Sequence, residues 1–564
     1  MRHHVLAAGI QLHVNWLDYL ILGGYLAMIV GIGVLSRRSV NSSLDFLLSG
    51  RALPAWITGL AFVSANLGPS EVLGNAANGA QYGLYGLHYD WIGAIPAMVF
   101  LGLVMMPFYY GSKVRSVPEF LRRRFNPQAH LLNSITFAIA QLLVAGINLY
   151  FLALILDAVL GWPIWVSVLV AAAVVFCYIV LGGLRSAVYN EVLQFFIILA
   201  ALLPVLIVGL LKVGGIDGLV DRVRDTNLGP EAMHTFGNTA VGTPNTLGAN
   251  WIGIVFGLGF VLSFGYWTTN FAEVQRALSA NGSRAARLTP IIGAYPKLVI
   301  GLLTVVPGMI ALVLIPGLGT TKDLQYNNAI PLLMGELLPN GVLGVALTGL
   351  FASFMAGTAA NISGFNTVFT YDNWQTYVRR RRPDRYYLTV GRCATAGGMC
   401  IGVGSAFIAA GYGNVMNYVQ SLFSMFNAPL FAVFVVGMFW KRMTPWAGFW
   451  GLLAGTVSSM ATYLGYRVGL LGFGSDLSES MWGAMVAFVM AVLVAAAVTS
   501  VTRPKPVSEL AGLVYGVRPA GSAGGLSGGI STDTVVGDAR WYRSPVVLGI
   551  GVLVLLVAIY IPFL

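Results

Sequence analysis

Asn66-Leu67-Gly68-Pro69-Ser70-Glu71 interrupts the apolar stretch 54–75, which is otherwise long enough to cross a bilayer. Pro69 lacks an N–H and clashes with the preceding turn, and Gly68 lowers helical rigidity. Glu71 puts a carboxylate where lipid tails would otherwise lie. In hydrocarbon the freed carbonyls and amides need partners, so such a break persists only where it lines a cavity or binds something. Discontinuous helices near mid-membrane are how transporters build solute and ion sites. A simple proline kink, with Glu71 at a helix–helix contact, is the structural alternative.

Composition agrees with a membrane setting. Of 564 residues, 57% are hydrophobic and 9% charged, with mean hydropathy +0.77, against roughly 25% charged residues in soluble domains. The sequence predicts an all-α polytopic membrane protein with fourteen transmembrane helices. They fall near 17–35, 54–75, 86–110, 131–157, 163–181, 187–212, 248–271, 289–316, 342–371, 386–411, 414–440, 445–465, 480–501 and 544–563.

The net charge of +11 is concentrated in alternate loops: Arg37, Arg38 and Arg51; Lys113, Arg115 and Arg122 to Arg124; Arg276, Arg284 and Arg287; Arg379 to Arg382; Lys441 and Arg442. By the positive-inside rule those loops are cytoplasmic and both termini are extracytoplasmic. The basic balance therefore reports orientation, and no nucleic-acid partner is expected. The first span has the wrong flanks for a cleaved signal peptide. Cys177, Cys393 and Cys400 lack metal-ligand spacing and are expected to pack in the core. His88 is expected at a helix end on the surface.

The chain 1–564 reads as a single membrane transport domain. Two outer loops, 213–246 and 316–340, are long enough for short amphipathic helices or gates. The Gly/Ser-rich stretch 502–543 predicts a flexible cytoplasmic linker. No phosphate-binding loop is present, so the sequence offers no sign of ATP-driven transport. A second interruption, five spans after the first, ends Ser263-Phe264-Gly265-Tyr266-Trp267-Thr268-Thr269-Asn270. Interruptions at that spacing are what an inverted five-helix repeat leaves.

Four ionisable residues fall within or at the ends of spans: Glu71, Asp90, Glu191 and Lys297. Facing lipid, each is costly, so each is expected to face a cavity or a partner. Lys297 with Asp90 or Glu71 would form one neutralised cluster. Tyr89, Trp91, Tyr266 and Trp267 are placed to stack on a ring or gate it, or else to sit in the interfacial aromatic belt.

Several segments, in order, resemble the sodium/solute symporter family, nearest its sodium/sugar cotransporter branch, over roughly residues 17–515. They are Ser116-Val117-Pro118-Glu119-Phe120-Leu121 with Arg124-Phe125, Gly182-Gly183-Leu184-Arg185-Ser186-Ala187-Val188-Tyr189, Val274-Gln275-Arg276-Ala277-Leu278-Ser279-Ala280, Phe369-Thr370-Tyr371-Asp372 and Gly437-Met438-Phe439-Trp440-Lys441-Arg442. The resemblance implies a LeuT-like inverted five-plus-five repeat core at 54–440, an extra N-terminal helix at 17–35 and accessory helices within 445–564.

It also implies a solute site of Glu71, Asp90, Ser263 and Lys297, with Tyr266 as inner gate and Trp267 beside it. A sugar's hydroxyls need polar partners over an aromatic face because they lose water on binding. Glu71 stands where that branch has a neutral polar residue, and Gly93 where it has a serine; the acidic excess suits a polyol or a cation better than a carboxylate. For sodium, the implied ligands are backbone carbonyls of Ser64, Leu67 and Ser353 and side chains at Ala356 and Gly357. Neither of the last two has a side-chain oxygen, and Thr358 is displaced by roughly 100° around a helix. A hard cation wants an oxygen cage, so the sodium site reads as degenerate. Restoring it with Ala356→Ser and Gly357→Ser is expected to create sodium dependence. Glu191 matches the family's acidic residue on the ion exit path.

The expected function is secondary active import of a small polar solute, a sugar or polyol, coupled to sodium by alternating access. The alternative is a proton-coupled or uncoupled transporter of an amine or polyol, with H+ in place of Na+. A solute sensor is a third reading. An enzyme is not expected, since no nucleophile–base or metal constellation is present. The expected partners are a small-molecule solute and membrane lipid, with no obligatory protein partner, in a bacterial inner membrane.

Overall fold

A computed structural model of the chain describes residues 12, 14–37, 51–112, 114, 116–321, 324–517 and 541–564. Within them every regular element is helical, and the sole β feature is an isolated bridge between Leu53 and Ala280. By length and apolarity nine of the described helices can cross a membrane, or ten if one bent pair counts as a single span.

The first long helix is α1 (Trp16–Arg37). The apolar stretch 54–75 forms two helices, α2 (Ala55–Asn66) and α3 (Pro69–Tyr82). Leu67 and Gly68 leave helical geometry, and Pro69 starts α3 at the one turn where its missing N–H costs nothing. A mixed helix, α4 (83–111), follows and carries π turns at Tyr89–Ala94 and Leu101–Met105. Next come the short α5 (Val117–Arg124), with Ser116 accepting from the Glu119 amide as its cap, and α6 (Pro127–Leu160). The runs 163–181 and 187–212, expected as separate spans, lie in one continuous element, α7 (Ile164–Val213). Gly182-Gly183 lies in its middle without ending the helix, and its single proline is Pro204. Its 50 residues amount to about 75 Å of helix, more than twice a hydrocarbon core of roughly 30 Å.

The outer-loop helices anticipated at 213–246 and 316–340 are present as α8 (Gly215–Arg224), which buries Leu219 and Val223, and later α12 (Ala329–Leu337). Between them the second break divides α9 (Gly253–Thr269) from α10 (Phe271–Leu278), with a 51° bend at Asn270. The long α11 (Ser283–Leu314) contains Pro290, Pro296 and Pro307. Then follow α13 (Val342–Val378), α14 (Asp384–Ala409), α15 (Val415–Phe439), α16 (Pro445–Arg467), α17 (Asp476–Val501) and α18 (Pro545–Tyr560).

Polar contacts sort the chain into two ends. At one, Arg51 donates to the Val114 carbonyl, Arg123 to Ser112, Lys505 to Arg123 and Arg284 to Arg543. Arg124, fully buried, donates to the carbonyls of Gly437, Trp440 and Met443 and so fastens α5 to the end of α15. At the other end Asp18 accepts from Asn340, Gly341 and Gly344, Asn327 donates to Tyr412, and Thr235 donates to Phe563. Arg38, Lys113 and Arg115 of the basic loops lie outside the described residues, as does 518–540 of the Gly/Ser-rich stretch. Residues just before that segment are packed: Leu510, Leu513 and Val514 are buried, and the Tyr515 amide donates to the Met438 carbonyl.

Two smaller expectations fail. His88 is fully buried, with Nδ1 3.0 Å from the Tyr560 hydroxyl and Nε2 2.5 Å from the Thr235 carbonyl. The C-terminal helix covers a helix end that looked free in the sequence. Cys393 and Cys400 lie on the exposed face of α14 rather than in the core, and the buried stripe of that helix runs through Gly391, Ala394, Gly398, Gly402 and Ala406 instead. The Cys177 side chain lies outside the described residues.

Candidate functional site

The break at Leu67-Gly68 rearranges backbone pairing. The Gly68 amide donates to the Asn66 carbonyl at 2.7 Å instead of reaching back to Ser64, and Pro69 has no N–H to offer Ala65. Two carbonyls of α2, those of Ser64 and Ala65, thereby lose their usual helical donors. The break packs on α13: a Cβ on Gly357 would stand 2.9 Å from Gly68 Cα and 3.2 Å from Pro69 Cδ. Only glycine permits this backbone-to-backbone approach.

Beside the break is a cavity of about 40 Å³ whose walls come from α2, α3, α4, α6, α9, α10, α13 and α15. Its polar lining is dominated by amides, among them Asn66, Gln141, Asn148, Asn270 and Asn361, together with the carboxylates Glu71 and Glu273. The Asn66 amide donates to the Tyr266 hydroxyl at 2.9 Å, and that hydroxyl donates to Glu273 Oε1 at 2.8 Å. Tyr266 lies against Phe423, with ring centroids 4.5 Å apart, and Trp267 meets it edge-on at 5.2 Å. The two broken helices are thus joined through one tyrosine.

Behind Glu71 lies an ion cluster sealed from solvent. Lys297 Nζ donates to Glu71 Oε1 and, at 2.8 Å, to Asp90 Oδ1, with all three side chains at most 2% exposed. Asn75 donates to the second Asp90 oxygen at 3.0 Å. Pro296 precedes Lys297 inside α11, and Asp90 stands in a π turn, so local helix irregularity serves both charges. Nζ also lies 5.2 Å from the Trp267 ring centroid, within cation–π reach.

The remaining anticipated residues are distributed around this centre. Glu71 and Tyr266 line the cavity, whereas Asp90, Lys297 and Trp267 stand behind its wall. Ser263 is buried beside Gly93, where a Cβ on the glycine would run into its Oγ. The serine of one helix fills the space left by the glycine of the other. Trp91 points away from the cluster, toward Tyr560 and Phe563. Glu191 is held by the Arg276 guanidinium at both oxygens, and both residues are buried. Ser64 Oγ, Ser353 Oγ and Thr358 Oγ1 are buried without hydrogen-bond partners. Ala356 is fully buried and contributes no oxygen. Gly357, pressed on Gly68, has no room for one, so the double serine replacement expected to restore a sodium site is sterically blocked at position 357.

Comparison with known proteins gives this geometry its context. The family model described as "Sodium:solute symporter family" matches residues 46–455. The chain belongs to the sodium:solute symporter family. Among its relatives, the sodium/glucose cotransporter 4 of Danio rerio is 27% identical over 89% of this chain and 81% of its own length. The sodium/glucose cotransporter of Vibrio parahaemolyticus is 26% identical over 79% and 85%, and the sodium/mannose cotransporter of Bos taurus 30% over 78% and 77%. The fold matches that of a Na+-coupled sialic acid symporter in a substrate-bound outward-open state, with TM-score 0.72 at 17% identity, covering 87% of this chain and 99% of the other. This symporter-family chain is a multi-pass membrane protein, and its relatives are transporters rather than enzymes.

Several cavity residues of this family member escaped the sequence reading. Gln141, Asn148 and Asn361 sit in apolar spans but carry no charge, so a search for ionisable residues passes over them. Glu273 lies beyond the expected end of its span, since α10 continues the broken helix after the bend. Amides flanked by apolar residues were the signal that identifies the first three.

Proposed function

We propose that the chain imports a small, neutral, polyhydroxylated solute, a sugar or polyol, by alternating access, with sodium as the driving ion. The observation that carries this is the cavity lining. Primary amides offer donor and acceptor together, matching vicinal hydroxyls, and Tyr266 over Phe423 offers an aromatic face. Lys297, the cation behind the cavity wall, is already committed to two carboxylates, which disfavours an anionic solute. Glucose and mannose are named for the relatives.

Sodium coupling is supported by family membership, by the Ser64 and Ala65 carbonyls relieved of helical donors, and by the unpartnered hydroxyls of Ser64, Ser353 and Thr358. Glu191 with Arg276 would close the cytoplasmic exit, and ion or solute binding would shift the equilibrium between access states by differential affinity. A second reading, transport coupled to protons or uncoupled, is favoured by Gly357 at the break, which excludes a side-chain ligand, and by the carboxylate of Glu71 on the cavity wall.

This function needs a core that rocks, and we assign 54–440 to that core, built as two inverted five-helix units around the breaks at Gly68 and Asn270. The accessory helices lie within 445–564, and the chain crosses a bacterial inner membrane fourteen times with both termini outside. Support comes from the two ends of the molecule: arginines and lysines make the contacts at one, and the N-terminal helix, the long loops and the C-terminus meet at the other. Val188 packs on Leu53 and Ile57 near the basic end, and fourteen crossings would require the chain to turn back there, in the middle of α7.

Reconstitution into proteoliposomes with labelled sugars, polyols, amines and carboxylates, each with external NaCl or choline chloride, tests the proposal. A sugar or polyol is expected to enter at least tenfold faster in NaCl. Equal rates in both salts would shift the driving ion to protons or to none, and uptake confined to amines or carboxylates would overturn the solute class.

A further inference from the structure

A second polar cluster stands apart from the cavity, where α15, α16 and α17 pack on one another. Glu479, in the first turn of α17, is 1% exposed, and its Oε1 has no hydrogen-bond partner. Its Oε2 is 3.3 Å from Ser421 Oγ of α15. Ser424 Oγ and Ser459 Oγ, from α15 and α16, lie 3.2 Å apart. Glu479 Oε1, Ser424 Oγ and Ser459 Oγ converge on Gly483, one turn further along α17. An ideal Cβ there would lie 3.2 Å from Glu479 Oε1, 3.6 Å from Ser424 Oγ and 3.7 Å from Ser459 Oγ.

The hydroxyl protons are already spoken for. Ser424 donates to the Ser421 carbonyl at 2.8 Å, Ser421 to the Asn417 carbonyl at 3.1 Å or to Glu479 Oε2 at 3.3 Å, and Ser459 can donate to Ser424. What remains facing the cup is lone pairs beside a carboxylate oxygen. A buried carboxylate that ionises needs a cation beside it. The basic group of this region, Arg467, is held over the rings of Tyr412 and Tyr463, 5.3 and 5.1 Å from their centroids.

We propose that Glu479, Ser424 and Ser459, with Ser421 holding the second carboxylate oxygen, form a binding site for a hard monovalent cation, sodium, seated in the space left by the missing side chain of Gly483. Oxygen-only ligands with one negative charge suit such an ion. Access is from the outer end: a cavity of about 380 Å³ there is lined by Asn417 and Asp476, each one turn from Ser421 and Glu479. A cation in the cup would steady the stretch of α15 that presents Val419 and Phe423 to the solute cavity. It would thus couple ion occupancy to solute affinity through one rigid helix.

The test is thermal unfolding of the purified full-length protein, titrated with NaCl at constant ionic strength against choline chloride. Wild type is expected to gain several degrees with saturating sodium. Gly483→Ala fills the cup without removing an oxygen, so it is expected to raise Tm in choline chloride yet lose at least half of the sodium increment. Glu479→Gln is expected to lose the increment likewise, and Ser424→Ala with Ser459→Ala to raise half-saturating sodium at least tenfold. The proposal is overturned if sodium gives wild type no increment, or if Gly483→Ala keeps the wild-type increment and half-saturation whatever Glu479→Gln does.

Discussion

Lys297 compensates two carboxylates that have no other cationic partner among the described residues, Glu71 at the cavity wall and Asp90 behind it. Removing one member of a buried pair costs about 3–5 kcal/mol, because the other charge stays buried and unpaired. Lys297→Met is therefore expected to lower Tm in detergent sharply, and adding Glu71→Gln and Asp90→Asn to recover most of the loss without recovering uptake. A Lys297→Met protein as stable as wild type would contradict the cluster. Tyr266→Phe removes the donor to Glu273 and the acceptor for Asn66, at a cost of about 1–3 kcal/mol for the stranded groups. Its expected signature is a larger rise in KM for the solute than fall in kcat, read from initial uptake rates. Charges of this kind were visible in the sequence because Glu71, Asp90 and Lys297 stand out against apolar neighbours. Pairing of Lys297 with Asp90 or Glu71 was legible too; that Lys297 holds both at once was not, since it lies 226 residues from Glu71 along the chain.

At the scale of elements, the two breaks carry the site, and their sequence signals differ. Gly68-Pro69 announces the first through lost backbone donors. The second falls at Asn270, where no proline marks it and the glycines earlier in α9 mislead; there the Asn270 side chain caps the Ala272 amide at 3.0 Å and starts α10 afresh. Close approach across the first break makes Gly357→Ala a sharp probe. Its methyl must displace Gly68 or Pro69, so uptake is expected to fall at least tenfold, whereas Ala356→Ser, which leaves that contact alone, keeps it. Normal uptake by Gly357→Ala would mean the break is not held as described. For α7, the fourteen-crossing topology puts both ends on one face of the membrane. Cysteines introduced at Trp162 and Lys212, both exposed, are expected to react with an impermeant maleimide from the outer side alone. Reaction from opposite sides would make α7 a single crossing.

For the whole molecule, long apolar runs and scarcity of charge were enough to read an all-helical membrane protein, because lipid forces backbone pairing into helices. The cavity was only half legible. Neutral amides drawn from four separate spans meet there, and nothing local in any one of them says that they meet. Coupling is likewise a property of the assembly. If Glu71 carries the driving proton, Glu71→Gln is expected to flatten the pH dependence of uptake between pH 5 and 8; an unchanged profile would leave sodium as the ion. The most direct measurement is the steady-state accumulation ratio of the transported sugar or polyol in proteoliposomes under an inward sodium gradient, before and after a sodium ionophore. The expected result is an inside concentration several-fold above the outside one, falling to equality when the ionophore is added. A ratio of one under sodium and proton gradients alike would contradict a cation-driven symporter.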